Sequence, residues 1–160
     1  MFSLTSFRHT PYNLQFAFAG KMYEWQYSST FVPGNTNYQL KTPPTQIIHF
    51  INRTLLTSST ALVFQFIQDS VISVQGTSAL AFFNVNRNVN STSAFKIYTN
   101  PSATSGTIID DVLLVSGSPF VQESPEIILK SDTDYIMKIT NSGAVDAVID
   151  FGFVWYESDN

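Results

Sequence analysis

Met22-Tyr23-Glu24-Trp25-Gln26-Tyr27 is the stretch that decides the fold. Three aromatic rings alternate with the polar side chains of Glu24 and Gln26. Successive side chains of an extended chain point to opposite faces, so this alternation is that of a strand with one face buried. In a helix the same rings would be scattered around the axis. Just upstream, Leu14, Phe16 and Phe18 alternate with Gln15 and Ala17 and predict another strand. Downstream, residues 32–44 contain Gly34-Asn35 and Pro43-Pro44 and read as a loop.

Further β-branched and aromatic runs predict strands at 46–52, 62–67, 71–74, 80–85, 94–99, 107–115, 127–129, 135–140 and 147–156. No stretch sustains the helical period; Leu55, Leu56, Leu62 and Val63 leave room for one short turn. Turn signals recur at roughly 8–15 residues, the spacing of sandwiches and barrels. The expected fold is all-β: a single-domain β-sandwich of about eight to ten strands, a jelly roll first and another sandwich topology second. Residues 14–160 form the sandwich, and residues 1–13 a candidate N-terminal arm. Phe2, Leu4 and Phe7 of that arm need cover on this protein or on a neighbour.

Composition narrows the function classes. Of 160 residues only 12% are charged, the net charge is −4, and there is no cysteine. A nucleic-acid binder needs clustered Lys and Arg to displace counterions, so none is expected as partner. No polybasic patch addresses an anionic membrane, and no window approaches the ~18 apolar residues of a membrane span. Disulfides and thiolate metal sites are excluded. Met1 to Arg8 lacks the basic start and long apolar run of a secretory signal, so export by the ordinary route is not expected.

The candidate reactive residues are sparse. His9 and His49 stand far apart; His49 shares a strand face with Ile47 and Ile51 and reads as a satisfied or surface histidine. No metal and no cofactor is expected. Asp110-Asp111 is an acidic pair whose members point to opposite faces unless a bulge intervenes, which suits a strand edge or bulge. Ser131-Asp132-Thr133-Asp134 reads as a polar turn, with a cation held by Asp132 and Asp134 as the alternative. Nucleophile-elbow, P-loop and dinucleotide motifs are missing, so no enzyme is expected. A site assembled in space from distant loops is the one remaining route to catalysis.

Polar loops carry the remaining signal, because Asn, Ser and Thr stand where charged residues usually do. Asn84-Val85-Asn86-Arg87-Asn88-Val89-Asn90 is the densest case. Asn tolerates positive φ and bonds to nearby backbone, so a turn is one reading. Extended, the segment would present four amides on one face around Arg87, suited to a protein surface or to sugar hydroxyls. Two aromatic rows, Tyr23/Trp25/Tyr27 and Phe151/Phe153/Trp155, are either both core or one core and one exposed platform.

The run Phe82-Phe83-Asn84-Val85-Asn86-Arg87-Asn88-Val89-Asn90-Ser91-Thr92, with Phe95-Lys96-Ile97-Tyr98, Pro101 and Gly106-Thr107 after it, resembles small capsid-associated proteins of tailed bacteriophages. So does Glu126-Ile127-Ile128-Leu129 through Thr133, Tyr135, Thr140-Asn141 and Gly143, closed by Trp155-Tyr156-Glu157. The resemblance spans roughly residues 80–157, and the first 45 residues carry no matching motif. It implies a cement or head-decoration protein of jelly-roll type. Such a protein is a non-enzymatic virion component on the outer capsid surface. It binds the major capsid protein, stabilises the shell and self-associates as a dimer or trimer. Asn86, Arg87, Asn88 and Asn90 are the expected contact residues, together with Phe2, Leu4 and Phe7. Arg87 would make charge-assisted hydrogen bonds to the shell. The rival class is a carbohydrate-binding β-sandwich or a host-receptor-binding tip, using an exposed aromatic row. A third, a hydrolase, would need carboxylates converging in a cleft.

Overall fold

Alternating burial along the chain resolves into two antiparallel sheets stacked face to face. The computed structural model describes residues 16–17, 19–58, 62–78, 82–122 and 126–159. His9 and the candidate arm, with Phe2, Leu4 and Phe7, lie outside the described residues. The strands are β1 (Met22–Phe31), β2 (Gly34–Lys41), β3 (Gln46–Thr57), β4 (Leu62–Gln68), β5 (Ile72–Val74), β6 (Thr77–Ser78) and β7 (Phe83–Asn84). They continue with β8 (Lys96–Thr99), β9 (Ser102–Ala103), β10 (Thr107–Leu114), β11 (Phe120–Gln122), β12 (Ile127–Leu129), β13 (Asp134–Asn141) and β14 (Ala147–Asp159). The first sheet runs β11-β3-β14-β1-β7, with β12 also on β3; the second runs β10-β4-β13-β2-β8-β6. β5 and β9 make a separate pair. The fold is a β-sandwich.

The core explains why β1 and β14 are neighbours. Their register sets Tyr23 opposite Trp155, Trp25 opposite Phe153 and Tyr27 opposite Phe151. Both aromatic rows therefore share one inward face and stack in pairs, Trp25 on Phe153 at 5.6 Å and Tyr27 on Phe151 at 6.1 Å between centroids. From the second sheet Tyr38 meets Trp25 edge-on at 6.0 Å, and Phe66 meets Phe50 at 6.3 Å. Each buried aromatic removes about 150–250 Å² from water, which makes this ladder the dominant apolar contribution.

Four expectations need correction. The loop read at 32–44 contains β2, which buries Tyr38, Gln39 and Leu40 between β13 and β8. In the Leu14–Phe18 alternation, Phe16 and Ala17 form a helical turn instead of a strand. There Gly20 N donates to Ala17 O and Lys21 N to Phe16 O, and the Phe16 ring stacks on Tyr156 at 4.2 Å. β3 continues through Leu55 and Leu56 to Thr57, so no turn forms at those leucines. Of the strand predicted at 80–85, the described part keeps only Phe83 and Asn84.

Two bulges reset the alternation. Pairing of β3 with β14 steps from Asn52↔Val154 to Phe50↔Trp155, leaving Ile51 over. Ile48 and Phe50 face the core before the step; Arg53, Leu55 and Thr57 do so after it. Along β10 the register shifts between Ile108 and Asp110, which turns Asp110, Val112 and Leu114 inward and leaves Asp111 exposed. The acidic pair thus sits at a bulge on an edge strand.

Candidate functional site

The Asn-rich segment is built onto the edge of the first sheet. β7 pairs with β1, setting Asn84 opposite Tyr23 and Phe83 opposite Glu24. Adjacent strand residues face opposite ways. Phe82 accordingly packs edge-on against Trp155 at 5.0 Å, while Phe83 projects outward, 49% exposed.

Beyond Asn84 the chain turns. Asn84 Oδ1 accepts from Asn86 N at 2.9 Å, and Asn86 Oδ1 accepts from Asn88 N at 3.1 Å. These successive side-chain-to-backbone bonds are the local alternative that Asn offers to a strand ladder. The segment is therefore not extended, and the four amides do not form one row. Asn84 Nδ2 donates inward to Gly20 O and Ser91 Oγ, Asn86 is half-buried, and Asn88 and Asn90 are exposed. Arg87 Nη2 donates to Glu24 Oε1 at 2.5 Å, with its guanidinium 5.0 Å over the Phe83 ring. That stacked cation remains largely exposed.

The return leg is pinned more firmly. Ser91 Oγ donates to Gly20 O at 2.5 Å and lies 3.3 Å from Tyr23 OH. Burial holds the Tyr23 phenol above its ordinary range, and its bond to Ser91 opposes this in part. The Glu157 carboxylate is buried and accepts from Ser93 Oγ at 2.5 Å and from the amides of Ala94 and Phe95. Gly20 sits so close beneath Val89 that a Cβ there would come within 2.4 Å of the valine Cγ1. The loop is thus held at both ends and along its base. It presents Phe83, Arg87, Asn88 and Asn90 to solvent.

Sequence reasoning named Asn86, Arg87, Asn88 and Asn90 but not Phe83 or Glu24. The signal for Phe83 was the Phe82-Phe83 doublet, since two adjacent strand residues cannot both enter one core. His49 does lie on the outer face with Ile47 and Ile51, where it is bonded to Glu126 and Ser158. Asp132 adopts a φ of 48° in the turn before β13, its N donating to Pro43 O. Asp134 Oδ1 accepts from Gln39 Nε2 at 2.8 Å. Among the described residues no group of three or more His, Asp or Glu is placed to hold a metal ion. No helix among them is long and apolar enough to cross a membrane.

No protein-family model matches this sequence, and no curated protein matches it significantly. Among solved structures, "Structure of infectious bursal disease virus Gt strain" is similar at 14% identity and a TM-score of 0.20, and the Gx strain at 13% and 0.19. These likenesses cover 87% and 86% of this chain but 40% and 39% of the virus chains. The chain thus spans about two fifths of the length of the virus chains it resembles, and similarity this low bears on neither fold nor function.

Proposed function

We propose that this protein is a structural component of a virion, a cement or decoration protein that binds the outer surface of a phage head and stabilises it. The observation that carries the reading is the anchored loop offering Arg87 on the Phe83 ring beside the free faces of Asn88 and Asn90. Aromatic residues and Arg are the side chains that concentrate binding energy at protein interfaces. A loop already fixed by Glu157 and Ser91 loses little further freedom on docking. The strand order supports a jelly-roll topology: β1-β14-β3-β11/β12 in one sheet and β2-β13-β4-β10 in the other. Sequence resemblance to phage cement proteins points the same way. The rival sugar-binding reading needed one aromatic row exposed, and both rows lie in the core.

The partner in this reading is the major capsid protein, engaged by a dimer or trimer of this chain. Repetition on the shell lattice makes a modest contact per copy effective through multivalency. Binding only to the assembled state stabilises that state by mass action. The N-terminal Phe2, Leu4 and Phe7 would add apolar contact to a neighbouring subunit.

Co-sedimentation with shells stripped of this protein tests the proposal. Saturable binding at a lattice-related copy number, with a higher shell disruption temperature, is the expected result. Arg87→Ala and Phe83→Ala should each weaken binding by roughly tenfold or more, the hot-spot range. Shells that take up no protein would overturn the reading. Unchanged occupancy after deleting residues 1–10 would remove the arm from it.

A further inference from the structure

The outer face of the first sheet carries a second constellation that adhesion does not use. His49 of β3 is paired across with Tyr156 of β14 and with Ile128 of β12. Ser158 lies two residues beyond Tyr156 and so shares its face. Glu126 lies two residues before Ile128 and arrives on the same side. Three stretches far apart in sequence thus bring a hydroxyl, an imidazole and a carboxylate together.

Their order is that of a nucleophile, a base and an orienting acid. Ser158 Oγ is 2.9 Å from His49 Nε2, and His49 Nδ1 is hydrogen-bonded to Glu126 Oε1. A carboxylate accepts only, so it fixes the imidazole proton on Nδ1 and leaves the Nε2 lone pair to accept from the Ser158 hydroxyl. Tyr156 OH donates to the same Glu126 oxygen at 2.9 Å and steadies it. The imidazole lies flat on the Tyr156 ring, 4.3 Å between centroids and 10° between planes, with Phe16 also stacked on that ring. The His49 side chain is 13% exposed and that of Glu126 33%, so the base is sheltered while the array stays accessible.

We propose that Ser158 is an activated nucleophile and that the Ser158–His49–Glu126 array transfers acyl groups from small activated esters to water. Ser158 Oγ bonds to the acyl carbon as its proton passes to His49 Nε2. The ester C–O bond breaks, and the departing alcohol takes that proton. Water then adds to the acyl carbon, giving a proton to Nε2. The Ser158–acyl bond breaks with return of the proton to Oγ, and a carboxylic acid leaves. Glu126 stays ionised throughout as a positioning residue. Ile128, directly across from His49 on β12, is 62% exposed, which suits a small ester with an apolar acyl or aryl group.

The test treats the full chain with a fluorophosphonate, whose phosphorus bonds to a serine oxygen with loss of fluoride, and maps the adduct by peptide mass spectrometry. Para-nitrophenyl acetate hydrolysis is followed in parallel. Ser158 should label at least ~10²-fold faster than the exposed Ser28 and Ser142 of the same molecule, the lower bound for a positioned general base. His49→Gln should remove that advantage, and Ser158→Ala should remove both the adduct and the hydrolysis. Glu126→Gln should slow labelling less than His49→Gln. Labelling of Ser158 at the rate of Ser28 and Ser142 overturns the proposal without any variant, so misfolding of His49→Gln cannot shield it. Equal labelling in folded His49→Gln overturns it too.

Discussion

Arg53 Nη2 stands 2.5 Å from Asp110 Oδ2 in the gap between the sheets, with the guanidinium 5.8 Å from the Phe64 ring and 5.9 Å from that of Phe120. Each residue faces inward because of the bulge in its own strand: Ile51 is the extra residue in β3, and Ile109 in β10. Without the first bulge Asn52 would face the core in place of Arg53. The pair joins the two sheets beside the open edge of β10.

Removing one partner of a buried pair leaves the other charge uncompensated, which costs more than the pair contributes. Asp110→Ala should therefore destabilise the fold by about 3 kcal/mol in urea denaturation. Arg53→Met combined with Asp110→Leu should recover most of that loss. A single variant as stable as the parent would show that the pair bears little on stability.

Glu157 anchors the loop that carries Arg87. Glu157→Gln replaces a carboxylate that accepts from Ser93, Ala94 and Phe95 with a neutral amide. Hydrogen bonds to charged groups are worth about 1.5–3 kcal/mol. The expected result is a stability loss of about 2 kcal/mol, with faster hydrogen exchange at the Ala94 and Phe95 amides. Exchange as slow as in the parent would remove Glu157 from the anchoring role.

Alkali should unfold the protein by way of its tyrosines. Burial raises the phenol pKa of Tyr38, with Tyr27 adding to it, and burial also raises those of Tyr23 and Tyr135. Unfolded tyrosine titrates near ~10, and the folded values lie above it. Below that pH both states hold the proton and stability is undiminished. Above it the unfolded chain releases protons first, so stability falls as pH rises toward the folded values. Urea midpoints should be lower at about pH 11 than at about pH 8, with tyrosinate absorbance appearing on unfolding. Equal midpoints would contradict burial of these phenols.

Two glycines should respond differently to alanine. A Cβ at Gly76 would fall 2.1 Å from Thr99 O, a backbone atom that cannot swing away. Gly117 has a φ of 72° and nothing within 4 Å of a Cβ. Gly117→Ala should cost about 1–2 kcal/mol, the left-handed penalty, and Gly76→Ala clearly more. Thermal unfolding of the two variants decides the order.

The residues that advertised the fold were those whose own chemistry sets their burial. Tyr23, Trp25 and Tyr27 alternate with polar neighbours, and the strand they form is where the alternation placed it. β2 was illegible because Gly34, Asn35 and Asn37 have poor strand propensity; cross-strand partners on β13 hold them extended. Phe16 alternates like a strand residue, yet its local turn and its seat on Tyr156 decide its conformation. Bulges hide from alternation by their nature, so the inward turn of Arg53 could not be read from its neighbours. The Asn-rich loop was legible as a turn through its Asx chemistry, whereas its anchor, Glu157, lies more than sixty residues away. Ser158 and Glu126 likewise meet His49 only through strand pairing.

The placement of β14 between β3 and β1 has a consequence for synthesis. A ribosome delivers β1 and β3 early, but they are not neighbours in their sheet, and the strand that joins them is assembled more than ninety residues after β3 begins. Until then the aromatic face of β1 has no partner for Trp25 or Tyr27 on β14. Contacts this distant in sequence make for slow closure, since the loop must be ordered before the pairing rewards it. Between the emergence of β1 and that of β14 the nascent chain therefore carries a half-built sheet, whose unpaired edge and apolar face are the kind of surface that aggregates unless shielded.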